Sequence, residues 1–204
     1  MKSLKRSELI QALPDTSTSL TLKGLDSKIE IIRDKFGIPH IRALSNWDSF
    51  FGQGFATAQD RMWHMDLDRR RAYGRWAEFV GETGIEQDVM MRRFRLRQSA
   101  YSDYKVLDQP TLNMLSAYSA GVNAFIETTH AMPIEYSLVG AYPERWEPWD
   151  SLAVLKVRHI FMGTFESKVW RAKLVQYLGV EKASALLPGY ESGQDVMIPP
   201  GGIY

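Results

Sequence analysis

The sequence predicts an α+β chain that is mainly helical and carries one short β-hairpin near its start. Apolar residues recur at helical spacing in three long segments, and two short runs of β-branched residues flank a turn before them. No internal repeat or low-complexity tract is present. The predicted organisation is a polar segment over 1–27, one domain over 28–187 and an extended tail over 188–204.

The hairpin is predicted from two isoleucine-containing runs, 29–33 and 38–42, which are separated by a four-residue turn ending at Gly37. Gly37 is placed where the turn requires a positive φ angle, which glycine adopts without strain. Pro39 suits an edge strand, because proline has no backbone N–H to donate to a neighbouring strand. We interpret His40 as a packed or hydrogen-bonded structural histidine.

The first long helix is predicted to run from Ser45 to about Tyr73. Ser45 and Asp48 have the spacing of a capping box, in which the residue at the helix start accepts a hydrogen bond from the backbone three residues on. The apolar positions that follow recur every three or four residues, so one face of this helix must be buried. They are Trp47, Phe50, Phe51, Gly54, Phe55, Ala58, Met62 and Met65.

The later elements are shorter or less regular. Glycines limit the next helical piece to residues 76–80, and a second long helix is predicted from apolar positions between Leu112 and Ile126. The segment after it is confined to loops and turns by its three prolines, Pro133, Pro143 and Pro148. A third long helix is predicted after Asp150, and Gly163 is the point at which it could bend.

The composition excludes several classes of site. Lys and Arg number 25 against 24 Asp and Glu, so the net charge of +1 favours neither nucleic acid nor an anionic membrane surface. The chain has no cysteine and therefore contains no disulfide, thiolate nucleophile or cysteine-ligated metal. No run of about 18 apolar residues predicts a membrane-spanning helix.

The first residues bear on localisation. They are basic and polar from Met1 to Glu8, and no apolar run of signal-peptide length follows them. The chain as given is therefore expected to be cytoplasmic, and to be periplasmic if a signal was removed from it.

Arginines are concentrated between Arg61 and Arg97, where nine of them stand against six acidic residues and no lysine occurs. The local net charge of +3 could contact phosphate. However, carboxylates are interspersed throughout, and arginine without lysine favours bidentate structural ion pairs over a nucleic-acid track. No nucleic-acid partner is predicted.

Two local patterns invite a metal or catalytic interpretation. His64-x-Asp66 supplies two possible ligands, but a metal site needs a third at a recognisable spacing. We favour the alternative in which Asp66 pairs with Arg69 or Arg70, three or four residues on. No Gly-x-Ser-x-Gly motif occurs, and the four histidines lack the context of a serine hydrolase triad.

Five segments together resemble the α chain of the penicillin acylase family of N-terminal nucleophile hydrolases. They follow one another in the family's order and are residues 33–41, Ala58-Gln59-Asp60-Arg61, Met65 with Arg69-Arg70, Ala120-Gly121-Val122-Asn123-Ala124 and Trp146-Glu147-Pro148-Trp149-Asp150. Each segment alone is a weak signal, whereas chance does not readily place five in register.

The resemblance implies a precursor that is cleaved, near the extended tail, into an α chain and a β chain. Together these chains form an αββα sandwich, in which the hairpin of this chain joins the sheet of the β chain. The nucleophile, usually serine, begins the β chain and uses its own α-amino group as general base, so no catalytic residue is expected here.

The implied function is cleavage of a linear amide bond in an N-acylated small molecule. The substrate would be a β-lactam, an acyl-homoserine lactone or an acyl amino acid, and the partner would be the β subunit from the same precursor. The alternative is a catalytically inactive binding or assembly module of the same fold.

The resemblance places one wall of the acyl pocket on the helix after the Trp-Glu-Pro motif. The substrate-binding candidates on it are His159, Met162, Gly163 and Phe165. Ordinary core packing of an amphipathic helix is an equally good interpretation. An apolar acyl group would suit Met162 and Phe165, whereas a carboxylate would suit His159, Arg158 or Lys168.

Members of this family often hold a structural calcium through a glutamate on the same helix. Here that position is Lys168 or Val169, and Glu166, slightly out of register, is the one candidate ligand. We therefore predict no cofactor and no secure metal site. Five further motif residues are predicted to form a partly buried ion network under the α/β interface, namely Asp60, Arg61, Asp66, Arg69 and Arg70.

Overall fold

The computed structural model describes residues 4–130, 132–163 and 165–188. Within them the chain is mainly helical with one antiparallel hairpin, which confirms the predicted fold class. The strands are β1 (Glu30–Arg33) and β2 (Pro39–Arg42). The helices are α1 (Arg6–Gln11), α2 (Asn46–Ala72), α3 (Ala77–Val80), α4 (Ile85–Phe94), α5 (Leu96–Tyr104), α6 (Gln109–Thr128), α7 (Ile134–Val139), α8 (Asp150–Met162), α9 (Phe165–Leu178) and α10 (Val180–Leu186).

The hairpin forms as the turn chemistry predicts. Strands β1 and β2 pair from Glu30 with Arg42 to Arg33 with Pro39. Gly37 has a φ angle of 78°, a left-handed conformation that favours glycine. The Asp34 carboxylate closes the turn by accepting hydrogen bonds from the backbone N–H groups of residues 36 and 38, at 2.8 and 3.0 Å.

Helix α2 begins at the predicted cap, but the capping contacts are not reciprocal. Ser45 Oγ accepts a hydrogen bond from the Asp48 N–H at 3.0 Å. The Asp48 carboxylate is buried and instead accepts from the backbone N–H groups of Asp26 and Ser27, at 2.8 and 3.0 Å. The start of α2 is therefore anchored to the segment before the hairpin. Arg61, with φ −138° and ψ 16°, interrupts the helix with a kink.

Helices α2 and α6 cross closely, and their contact forms the core. A Cβ atom on Gly54 would lie 2.0 Å from the carbonyl oxygen of Tyr118, and one on Gly121 would lie 1.9 Å from that of Phe51. The two helices can therefore approach this closely only with glycine at both positions. The buried core around the crossing contains Phe51, Phe55, Ala58, Met62, Met65, Val122, Ala124, Phe125, Tyr136 and Trp146.

The structure differs from the sequence-based elements in three places. The segment predicted to be loop between Pro133 and Pro148 contains helix α7, since Pro133 occupies the helix start, where a missing N–H is tolerated. The predicted third helix is two helices. Helix α8 ends at Met162, just before Gly163, and α9 begins at Phe165. The segment 1–27, predicted to be polar, contains helix α1. Leu22 and Leu25, which follow α1 in this segment, pack against the core.

The chain divides after His159 into two units, residues 1–159 and 160–204. The first contains the hairpin, the α2–α6 core and most of α8, while the second contains α9 and α10. The predicted tail, 188–204, lies outside the described residues except for Pro188. Among the described helices, none has the length and apolar character needed to cross a membrane.

Candidate functional site

A buried group of charged side chains lies where α2 meets the start of α8. We call it the Arg69 cluster. It comprises Asp66, Arg69, Arg70 and Asp150, together with the hydroxyl groups of Tyr73 and Tyr136. Asp66, Arg69, Arg70 and Asp150 each expose 5% or less of their surface. Two buried carboxylates therefore face two buried guanidinium groups, and the partly exposed Glu78 also pairs with Arg70.

Helical spacing brings together the first three members. Asp66 lies three residues before Arg69 and four before Arg70, so one turn of α2 places all three on the same face. The Asp66 carboxylate accepts from Arg69 Nε at 3.1 Å and from Arg70 Nε at 3.2 Å. Tyr136, on α7, donates its hydroxyl to the same carboxylate at 3.1 Å. This pairing is the one favoured over a His64-x-Asp66 metal site.

Asp150 connects the cluster to a part of the chain 81 residues away. Its Oδ2 accepts from Arg69 Nη1 at 3.1 Å and from the Glu147 N–H at 2.9 Å, while Tyr73 donates to Oδ1. Arg69 also donates to the carbonyl oxygen of Arg145 at 2.8 Å. The Trp-Glu-Pro-Trp-Asp segment is therefore held to α2 by its terminal carboxylate and by the carbonyl oxygen of Arg145, the residue just before it.

The ring of Trp146 packs against Arg69 where α2 meets the start of α8. The Arg69 guanidinium lies 5.0 Å from the centre of the Trp146 ring, a distance at which a cation is attracted to the ring face. The backbone of Trp146 is fixed by Asn123 of α6, which accepts from its N–H at 2.7 Å and donates to its carbonyl at 2.9 Å. Three segments of the first unit therefore meet at Trp146.

The electrostatics of the cluster favour its ionised state. Burial opposes the Arg69 charge, but the adjacent carboxylates of Asp66 and Asp150 outweigh it and raise the pKa of Arg69. Burial, reinforced by the negative charge of Asp66, raises the pKa of Tyr136 far above its usual value. Burial and Asp150 do the same to the pKa of Tyr73. Both hydroxyl groups therefore remain donors and do not serve as bases.

The predicted five-residue ion network is divided in the structure. Asp66, Arg69 and Arg70 belong to the Arg69 cluster, whereas Asp60 pairs with Arg33 of strand β1 at 2.8 Å. Arg61 is exposed at the kink of α2 and makes no ion pair among the described residues, so its place in the network stays a prediction. Helical spacing would not pair Arg61 either, because the positions three and four residues away are Thr57, Ala58, His64 and Met65, none of them a carboxylate.

The four substrate-binding candidates lie around the end of α8. His159 and Met162 are exposed on its last turns, Met162 to 75%, and Gly163 follows the helix. Phe165, which is partly buried, begins α9. Arg158, considered as a partner for a substrate carboxylate, instead pairs with buried Asp68 of α2 at 2.5 Å. Its charge is therefore already neutralised within the first unit.

The candidate calcium position lies in the second unit. Glu166, Lys168 and Val169 are exposed on the first turns of α9. Among the described residues, no group of three His, Asp or Glu side chains is arranged to hold a metal ion, and His64 is exposed while Asp66 is buried. Glu166 is the one calcium ligand predicted in this chain. Because calcium takes six to eight oxygen ligands, Glu166 by itself does not make a calcium site.

Helix α9 has no buried residue, although it carries several large apolar side chains. Val169, Trp170 and Tyr177 expose 52%, 56% and 83% of their surface. Trp170 and Tyr177 are seven residues apart and therefore lie on the same side of the helix. An exposed apolar stripe of this kind is typical of a surface that a partner covers.

The residues that analysis of the sequence missed are Asp150, Tyr73 and Tyr136 as members of the Arg69 cluster. Asp150 was noted only as the end of a motif and the start of a helix. The residues around Asp150 do not indicate its contact with Arg69 of α2, because the two segments meet only through tertiary packing. The described residues of the cluster are saturated with partners, and the arrangement therefore supports the fold and supplies no nucleophile or base.

Comparison with protein families relates this chain to acylases. The family model described as penicillin amidase matches residues 28–198. The chain is 42% identical over 198 residues to penicillin acylase 2 proenzyme from Pseudomonas sp. (strain SE83), covering 96% of this chain and 25% of that protein. It is 32% identical over 181 residues to the acyl-homoserine lactone acylase QuiP from Pseudomonas aeruginosa, covering 88% and 21%. The chain thus spans about a quarter of the length of the curated relatives it matches.

The fold is similar to that of a solved acylase. A chain of the thermostable penicillin G acylase from Alcaligenes faecalis superposes with a TM-score of 0.67 at 23% identity. The superposition covers 86% of this chain and 98% of the Alcaligenes chain. The described architecture and one complete chain of that enzyme are therefore alike in fold.

Proposed function

Because the chain belongs to the penicillin amidase family, we propose that it is the non-catalytic α subunit of an amidohydrolase that cleaves a linear amide bond in an N-acylated small molecule. The observation that carries the proposal is the extent of the match. The chain corresponds to 98% of one chain of a solved acylase but to only 25% of an acylase proenzyme. The remainder of such a precursor would supply the catalytic β chain.

In this proposal the reaction takes place on the β chain. Its N-terminal serine would attack the amide carbonyl, with the α-amino group of the same residue taking the hydroxyl proton. The amine then leaves with a proton and an acyl-enzyme ester remains. Water hydrolyses that ester, which releases the carboxylic acid and restores the serine. Preorganised donors for the tetrahedral oxyanion would also come from the β chain.

The α subunit would contribute position and selectivity. The saturated Arg69 cluster holds α2, α7 and the start of α8 in one arrangement, from which the end of α8 extends. His159, Met162, Gly163 and Phe165 would form the α-chain wall of the acyl pocket. Exposed Met162 favours an apolar acyl group, and the pairing of Arg158 with Asp68 removes one group that would have favoured a carboxylate.

The apolar stripe of α9 supports a partner chain in addition. Trp170 and Tyr177 expose large apolar surfaces that water solvates poorly, and a β subunit that covered them would gain the free energy of burying them. This observation favours an obligate subunit over a chain that works alone.

The test begins with the chains present in the native protein. Intact mass measurement and N-terminal sequencing of the purified protein should find a second, longer chain that begins with Ser, Thr or Cys. The same preparation is then given N-acyl substrates with either an apolar or a carboxylate-bearing acyl group. Amine and acid should be released in equal amounts, with the apolar acyl group preferred in kcat/KM.

Three outcomes would contradict the proposal in different ways. A native protein that contains only this chain, soluble and folded, would exclude the subunit assignment. A second chain without amide hydrolysis would leave the subunit assignment intact but favour the inactive binding or assembly module. A preference for the carboxylate-bearing substrate would contradict only the proposed selectivity.

A further inference from the structure

A cavity on the first unit is lined by none of the acyl-pocket candidates. It has a volume of about 330 Å³ and is lined by Arg97, Gln98, Tyr101 and Trp149. We call it the Trp149 pocket. Its lining comes from α5 and from the segment before α8, so the fold brings together residues that are about 50 positions apart in the sequence. The volume is within the range of small-molecule sites.

The aromatic wall of the Trp149 pocket is held in place. The Trp149 ring meets Tyr101 edge-on, with ring centres 5.0 Å apart and an interplanar angle of 77°. Tyr104 meets the same ring at 5.7 Å and 64°. Both distances fall within the favourable range for aromatic pairs, so the pocket presents preorganised aromatic surface and not a mobile side chain.

The pocket also presents the positive charge of Arg97, which no carboxylate among the described residues neutralises. Arg97 is exposed and stacks over the Tyr73 ring at 4.9 Å, and it has no ion-pair partner in the described parts of the chain. Lys105 lies 4.3 Å from the Tyr101 ring, likewise without an ion pair among the described residues. Two nearby acids are already engaged. Asp103 pairs with Lys156 at 2.6 Å, and Asp150 lies beyond Tyr73 in the Arg69 cluster.

From this arrangement we propose that the Trp149 pocket binds a small aromatic carboxylate. The planar guanidinium of Arg97 offers paired N–H donors that match the two oxygens of a carboxylate. Tyr101 and Trp149 provide the surface for an aromatic ring attached to that carboxylate, and Gln98 adds a polar group that can hydrogen-bond at the rim. The ligand class therefore follows from Arg97, which has no ion pair among the described residues, beside a fixed aromatic wall.

The test measures binding to the complete purified protein by isothermal titration calorimetry. Benzoate supplies both the ring and the charge, benzamide supplies the ring without the charge, and inorganic phosphate supplies an anion without the ring. Benzoate should bind at least about tenfold more tightly than benzamide, because a hydrogen bond to a charged group contributes more than a neutral one. It should also bind at least about tenfold more tightly than phosphate, because phosphate lacks the ring. The affinity should fall as salt is added, since the site is exposed.

Two substitutions locate the binding. Arg97→Gln should weaken benzoate binding at least about tenfold, whereas Arg93→Gln, which removes an exposed arginine outside the pocket, should leave it unchanged. Tyr101→Leu should weaken benzoate and benzamide alike. Circular dichroism and thermal unfolding of each variant confirm that it is folded.

Three results would overturn the proposal. They are equal affinity for benzoate and benzamide, benzoate binding that survives Arg97→Gln, and no benzoate binding at all. Benzoate binding that survives the substitution would belong to another site, such as the proposed acyl pocket. The amidase assay is independent of these measurements, so the two proposals can fail separately.

Discussion

Arg69 shows how a buried charge is tolerated in this fold. Its side chain exposes only 4% of its surface, yet each of its guanidinium nitrogens has an acceptor, supplied by Asp66, Asp150 and two backbone carbonyls. Removing one member of such a cluster does not merely delete a contact. It leaves carboxylates that are buried, charged and short of a partner, and the free-energy cost of this exceeds the net contribution of the intact pair.

Arg69→Met should therefore destabilise the protein by about 3–5 kcal/mol, because Asp66 and Asp150 would both lose their shared cation. Urea denaturation of the purified protein at pH 7 measures the change. The matched control is Arg61→Ala, since Arg61 lies on the same helix but is exposed and without an ion pair in the described structure. The control should change stability by no more than about 0.5 kcal/mol. Similar losses in the two variants would show that the cluster has no special role.

Glu144, at the edge of the Arg69 cluster, makes a contribution to the stability of the fold that depends on pH. A hydrogen bond from Arg75, at 2.6 Å, lowers the pKa of Glu144 from 4.5 to about 2, against a smaller opposing effect of burial. A carboxyl group whose pKa is lower in the folded state stabilises the fold above its unfolded pKa. That contribution is complete above about pH 4.5 and is lost as the pH falls towards 2.

Glu144→Gln should consequently lower stability at pH 7, and the difference from the natural protein should shrink between about pH 4.5 and 2. Because the Glu144 side chain is 54% exposed, the loss at pH 7 should be about 1 kcal/mol or less. Thermal unfolding over this pH range provides the measurement, with Glu127→Gln, in a more exposed pair with Arg145, as the comparison at pH 7. A difference that grows as the pH falls would reverse the assigned sign.

The crossing of α2 and α6 decides the geometry of the core at the scale of elements. Gly54 and Gly121 let the backbone of each helix approach the other, which larger residues would prevent. Glycine normally weakens a helix interior by about 1 kcal/mol relative to alanine. Here that loss is offset by the packing of Phe51, Phe55, Val122 and Phe125 around the crossing.

Gly54→Ala should destabilise the protein despite the better helix propensity of alanine. Its Cβ would lie 2.0 Å from a backbone oxygen of α6, which cannot move aside as a side chain can. Overpacking of this kind costs about 1–3 kcal/mol or more, which outweighs the propensity gain. Asn113→Ala, at an exposed position of α6, serves as the control. Unchanged or higher stability of Gly54→Ala in urea denaturation would contradict the observed crossing.

At the scale of the whole molecule, the two units differ in how many large side chains they bury. The first unit buries a core of large side chains, whereas α9 of the second unit buries none of its residues. A single helix of 14 residues has little stability in water without a surface to pack against. Within the described residues α9 therefore lacks the packing surface that the proposed second chain would supply.

Trp170→Asp should reduce co-purification of the proposed second chain with this one, because it places a charge in the apolar stripe that the partner would cover. Arg171→Asp, at the adjacent and also exposed position, alters charge without entering the stripe and should leave association unchanged. Affinity purification through a tag on this chain, followed by quantification of the second chain, gives the comparison. Equal recovery in both variants would exclude the α9 stripe from the interface.

Features decided by neighbouring residues were predictable from the sequence. Gly37 in the turn, Ser45 at the start of α2 and the period of apolar residues in α2 and α6 all act through contacts within a few positions. The pairing of Asp66 with Arg69 and Arg70 is of the same kind, since one helical turn places these side chains together. The motifs that indicated the family are also local strings.

Only the tertiary structure decided which charges are buried and how closely the helices approach. Asp150 reaches Arg69 across 81 positions, Tyr136 reaches Asp66 across 70, and Gly54 faces the backbone of α6. Arg61 and Arg69 lie on the same helix, yet the first is exposed and the second is buried. Local sequence specifies backbone conformation and side-chain period, whereas burial depends on segments that meet only after the chain has folded.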